Sequence, residues 1–123
     1  MMNLRGFLMD ENMPHRAIRR ILNARAPDIL CWVIGEQPAP PIGAPDPELL
    51  NWIEANDCIL ATRNHVSMPA HLQSHLARGA HVPGILVMKS RLAPWQMAEE
   101  LILIWGASLA DEYVDQIVYW PRT

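Results

Sequence analysis

Three acidic residues stand where an apolar run hands over to a helical pattern. Asp10 and Glu11, followed by Asn12, close the apolar run at residues 4–9. Asp46 lies at the far end of a proline-rich stretch, at the mouth of a second helical pattern. Thr62, Arg63, Asn64 and His65 close the apolar run at residues 58–61. Carboxylate and amide oxygens suit hard divalent cations. Mg²⁺ or Mn²⁺ is satisfied with one or two carboxylates, waters and substrate phosphates, and it activates water for attack on a phosphodiester. Each residue also has a plainer reading: Asp10 and Glu11 end a strand, and Asp46 caps a helix. The recurrence at equivalent strand ends gives the chemical reading its weight. It assigns the metal to Asp10 and Asp46, with Glu11 and Asn64 as outer ligands.

The basic residues near this set are arginines. Arg16 and Arg20 are one helical turn apart and, with Arg63, form the candidate grip on an RNA backbone. A solvated face on the first helix, shared with Arg19, is the competing reading. Trp52 is the one tryptophan placed to stack on a base. His65 is the candidate general base at a strand end. His71 and His75 have the spacing of a two-histidine clip, but no glutamate lies between them and no third ligand follows. They read as a polar shoulder on a helix, and His81 as a turn residue.

These residues must be held by a small set of elements. Apolar runs at residues 4–9, 29–34, 58–61 and 85–88 do not alternate with polar residues, so they read as strands covered on both faces. A fifth strand over residues 113–120 carries Asp115 and Gln116 and reads as an edge. Helices begin near Pro14, Asp46, Ser67 or Met68, and Pro94, the last running to about Gly106. Asp46 is read as an N-cap with Pro47 behind it. Strands alternating with helices predict an α/β fold, a mainly parallel sheet of about five strands flanked by about four helices. Residues 1–123 form a single domain. Residues 101–105 are consecutively apolar, so the fourth helix is expected to be covered on more than one side, by a second copy or by the chain itself.

Composition narrows the function classes. The chain is 50% hydrophobic and 19% charged with a formal net charge of −3, which excludes bulk attraction to nucleic acid or an anionic membrane. Nine of the ten basic residues are Arg, Lys89 being the exception. Cys31 and Cys58 form no metal-binding or disulfide spacing and suit a reducing compartment. Arg5 and Asp10 interrupt a short apolar start unlike a signal peptide, and no run reaches the ~20 residues of a membrane span. A soluble, cytoplasmic protein is expected. No Gly-rich loop follows a strand, which speaks against a nucleotide-binding enzyme.

The segment FLMDENMPHRAIRRIL resembles the start of the small PIN-like proteins. IGAPDPELLNWIEANDCILATRN is similar to their next block, a Gly-Ala-Pro-Asp loop, a helix and a strand ending in Thr-Arg-Asp. HVPGILVMK resembles their fourth strand. The resemblance spans residues 7–89 in order and spacing. It implies a PIN-like nuclease fold and a metal-dependent ribonuclease similar to VapC-type toxins, which are often paired with a small antitoxin. By resemblance, Asp10 matches the first-strand metal carboxylate, Glu11 its neighbour, and Asp46 the carboxylate at the second helix. Thr62 and Arg63 match the third-strand motif. The pattern departs at Asn64 and Val66, where active members carry Asp; Asn64 adds an oxygen without charge and Val66 adds nothing. The expected function is therefore a Mg²⁺- or Mn²⁺-dependent ribonuclease with a weakened acidic site, acting on RNA or held by an antitoxin-like partner. The alternative is an inactive PIN-like module that binds protein or RNA, with the fourth helix as docking or homo-oligomer surface. A receiver-like phosphoacceptor also places acids after strand one, but it requires Asp where Asn64 stands.

Overall fold

A computed structural model describes residues 4–63, 66–89, 91–106 and 109–121. Five strands, β1 (Gly6–Met9), β2 (Leu30–Val33), β3 (Cys58–Thr62), β4 (Ile85–Met88) and β5 (Ile117–Trp120), form one sheet. Four helices lie between them: α1 (His15–Arg25), α2 (Asp46–Asn56), α3 (Met68–Ala77) and α4 (Pro94–Gly106). All pairings are parallel and the order is β2-β1-β3-β4-β5. This is the α/β architecture the alternation of runs predicts.

The side-chain period of two sorts the strands into two faces. Phe7 and Met9 of β1, with Ile59 and Ala61 of β3, pack under α1 and α4 beside Ile18, Leu22, Met97 and Leu101. Leu8 and Leu60 point the other way and join Leu50, Ile53 and Leu72 of α2 and α3. The helices thus form a layer on each side. Phe7, Leu8 and Met9 are wholly buried, and such side chains stabilise the fold by about 1.5–3 kcal/mol each. That burial fixes the strand whose end carries Asp10. A Cβ on Gly6 would lie 1.9 Å from the Leu30 carbonyl oxygen, so the close approach of β1 and β2 admits only glycine there.

Three local expectations need correction. β2 is covered only in part: it is a sheet edge and Leu30 is 42% exposed, while Cys31 and Val33 pack on one face and Trp32 on the other. The fifth strand starts at Ile117 rather than residue 113, because a 3₁₀ turn over Leu109–Tyr113 and a left-handed Asp115 (φ 61°) interrupt extended backbone. Pro45, not Asp46, occupies the cap position of α2, and no side chain caps that helix. The fourth helix buries Met97, Ala98, Leu101 and Ile104, with Ile102 and Trp105 partly covered, and leaves Trp95 and Leu103 outside. Among the described residues no helix is long and apolar enough to cross a membrane.

Candidate functional site

With this strand order the chain reverses its direction of travel across the sheet between β1 and β3. Ligands of open α/β sheets bind beyond the carboxyl ends of the strands at such a switch point. Asp10 follows β1 there and Thr62 ends β3. The register pairs Met9 with Ala61, so the next step sets Asp10 opposite Thr62, on the face shared by Leu8 and Leu60. The Thr62 hydroxyl accordingly donates to Asp10 Oδ2 at 3.0 Å, a buried contact. The backbone N–H of Asn12 donates to Asp10 Oδ1 at 3.2 Å. Both oxygens of Asp10 therefore act as acceptors.

Glu11 completes a carboxyl pair. Its side chain hydrogen-bonds that of Asp10; this contact, then burial and the Asp10 charge, push the Glu11 carboxyl up to about 7. Yet Glu11 Oε2 is buried with no hydrogen-bond partner. His15 Nδ1, at the start of α1, and Arg63 Nε, just past β3, are buried and unpartnered too. No other described buried side-chain nitrogen or oxygen is orphaned in this way. All three belong to the carboxyl edge around β1 and β3, where such atoms are costly to leave unsatisfied.

The other predicted residues divide. Arg63 comes to the site, and its guanidinium donates to the Asn12 carbonyl at 3.4 Å. Asp46 opens α2 at the same edge, and its Oδ2 accepts from the Ser67 hydroxyl at 2.7 Å, with His71 Nε2 at 3.8 Å. Because Asp46 lies inside the first turn of α2 rather than at its cap, its carboxylate is available to α3. Among the described residues no group of three or more His, Cys, Asp or Glu lies close enough to hold a metal. Asn64 and His65 fall outside the described residues.

Arg16 and Arg20 are exposed on α1. Arg16 lines an open depression of about 420 Å³ with Met13, Pro14 and His15. Arg19 is occupied elsewhere, donating to the Cys31 carbonyl and pairing with Glu36, each at 3.0 Å. Trp52 packs edge-on against Trp32 with centroids 5.3 Å apart, which explains its position without a base. His75 is no helix shoulder: it is buried and bonded to Glu54 at 2.8 Å. Both cysteines are free, and burial pushes the Cys31 thiol up to about 11 and Cys58 higher still, so neither is an activated nucleophile.

Sequence reasoning passed over Thr62 as the residue that orients Asp10, and Ser67 as the partner of Asp46. The first was within reach, since a hydroxyl at a buried strand end requires an acceptor. The second depended on how α3 meets α2. Neither family models, curated proteins nor solved structures compared with this chain match it.

Proposed function

We propose that the carboxyl edge of β1 and β3 is a divalent-cation site and that the protein is a metal-dependent ribonuclease of the PIN-like type. One observation carries the reading: Glu11 and Asp10 form a carboxyl pair at the switch point, and Glu11 Oε2 is buried there with no partner. Two carboxyl groups held together share a proton because both cannot ionise at low cost. Asp10 and Glu11 would hold a dication there, whose charge would relieve that repulsion in place of the proton. Mg²⁺ and Mn²⁺ accept such an open set of two carboxylates, completing their shell with waters and phosphate oxygens.

Asp10 would hold the ion, oriented by Thr62 and the Asn12 amide, with Glu11 as its neighbour. Bound there, the ion supplies an activated water for phosphodiester attack. Asp46, at the same edge, is positioned by Ser67 and contributes negative charge toward α3. Arg63 and Arg16 supply cations near the start of α1 for the phosphates. The 2-1-3-4-5 order is also that of receiver modules. Here β3 runs into Thr62, Arg63 and Asn64, without the acceptor carboxylate such modules need.

A second reading has its own support. No third acidic ligand joins the pair among the described residues, which favours an inactive module that binds RNA or a protein. Calorimetry with Mn²⁺ at neutral pH, comparing the native chain with Asp10→Ala, separates the outcomes. Saturable binding lost in the variant, with metal-dependent cleavage of single-stranded RNA that EDTA stops, supports the nuclease. Binding without cleavage supports the module. No binding at millimolar Mn²⁺ overturns the cation site.

A further inference from the structure

The sheet has two edges, and on one of them the outward carbonyls are already used. On β2, the N–H groups of Leu30 and Ile34 donate to Arg5 and Met9, so Cys31 and Val33 present their backbone outward. Both outward carbonyls are used: Cys31 accepts from the Arg19 guanidinium at 3.0 Å, and Val33 accepts from the Glu36 N–H at 2.9 Å. Native edges are commonly blunted by such contacts. On β5, Ile85 and Lys89 donate to the carbonyls of Gln116 and Trp120. Strand alternation then turns the N–H and C=O of Ile117 and Tyr119 away from the sheet. Among the described residues nothing pairs with them.

The surroundings of this open edge are apolar and acidic. Tyr119 is 54% exposed and lines, with Ile117, Asp111 and Glu112, a depression of about 520 Å³. Around Trp120, a second depression of about 180 Å³ is formed with exposed Trp95 and Leu103 and with Glu99 and Glu100. Glu99 is already paired with Arg25. Among the described residues, no lysine, arginine or histidine lines either depression.

We infer that β5 is a docking edge for an extended, basic peptide segment of a partner protein, which adds to the sheet as a sixth strand. Outward N–H and C=O groups supply the ladder, alternate apolar side chains reach Tyr119, and Arg or Lys side chains meet Asp111 and Glu112. Nucleic acid is excluded by the sign of the charge. A second copy pairing edge to edge would bring two acidic rims into one interface, which is repulsive.

The test uses the ¹⁵N-labelled full chain and a synthetic hexapeptide alternating Arg and Val, with a Glu/Val hexapeptide as control. The expected result is saturable amide shifts centred on Ile117 and Tyr119, with affinity at least tenfold weaker for the acidic peptide. Tyr119→Pro removes an outward N–H and leaves the β4 ladder intact; it should abolish binding with the rest of the spectrum preserved. Asp111→Asn with Glu112→Asn, which leaves the backbone untouched, should weaken binding at least tenfold even if the proline variant fails to fold. Any of four results overturns the inference: no shift at millimolar peptide, equal affinity for the acidic peptide, shifts centred on Asp10 and Glu11, or a dimer in sedimentation that Tyr119→Pro dissociates.

Discussion

At the amino end of the sheet a buried histidine sits within a closed set of hydrogen bonds, whereas at the carboxyl end buried polar atoms stand without partners. His75, 1% exposed, holds Glu54 Oε1 at 2.8 Å and the His81 carbonyl at 3.2 Å through Nε2, while Arg78 donates to Nδ1 at 3.2 Å. Arginine only donates, so Nδ1 is the acceptor in that contact and Nε2 faces the two acceptor oxygens. Around it, Glu54 Oε2 accepts from the His81 N–H, and Asp115 accepts from the His81 ring and the Val82 N–H. The carboxyl end instead holds a carboxyl pair and three orphaned polar atoms, on Glu11, His15 and Arg63. On the proposed reading, the difference separates groups that hold the fold from groups that would meet the cation.

The sharpest way to break this comparison is a pair of substitutions, one at each end. Asp10→Ala should weaken Mn²⁺ binding at least a hundredfold in calorimetry, while urea unfolding shifts by less than about 2 kcal/mol, because relief of the Asp10–Glu11 repulsion offsets the loss of the Thr62 acceptor. His75→Ala should do the reverse. It empties a buried site and strips Glu54 and Arg78 of a partner, a loss of about 2–4 kcal/mol in urea unfolding. Its Mn²⁺ affinity should stay within twofold of the native chain. If both variants lost metal affinity equally, the two ends would not be independent.

Two smaller effects sharpen the account of Glu11. Metal must displace the Glu11 proton, so Mn²⁺ affinity should rise about tenfold from pH 6 to pH 8, through the raised value of about 7. A flat profile over that range would remove Glu11 from the site. Without metal the linkage runs oppositely. A folded-state value raised above the unfolded one gives stability that is full below about 4.5 and is lost as pH rises through about 7. Glu11→Gln should abolish that decline and leave the protein more stable at pH 8 by about 1 kcal/mol, a figure discounted for solvent screening. Unfolding midpoints of the two proteins at pH 5 and pH 8 measure it.

Much of the frame was legible because burial leaves a simple trace. β4 (Ile85–Met88) and α4 (Pro94–Gly106) lie where an unbroken apolar run and a Pro-to-Gly segment predict them. An unbroken run did not tell an edge from the centre, so β2 was expected to be covered on both faces. Asp10 and Glu11 stood out because ligand sites of open α/β sheets lie beyond the carboxyl ends of the strands. The role of Thr62 came from β1–β3 register, and the partners of Asp46 from the approach of α3 to α2. Burial of His75 depends on Glu54, far away in the chain. Spacing along one helix carries no trace of such tertiary contacts.

The most direct test of the cation site is paramagnetic. Mn²⁺ added in small steps to the ¹⁵N-labelled chain broadens amide signals nearest the ion. Broadening first at Asp10, Glu11, Asn12 and Thr62, with His75, Val82 and Asp115 still sharp, is the predicted result. Broadening centred on Glu54, His81 and Asp115, or none at millimolar Mn²⁺, would contradict it.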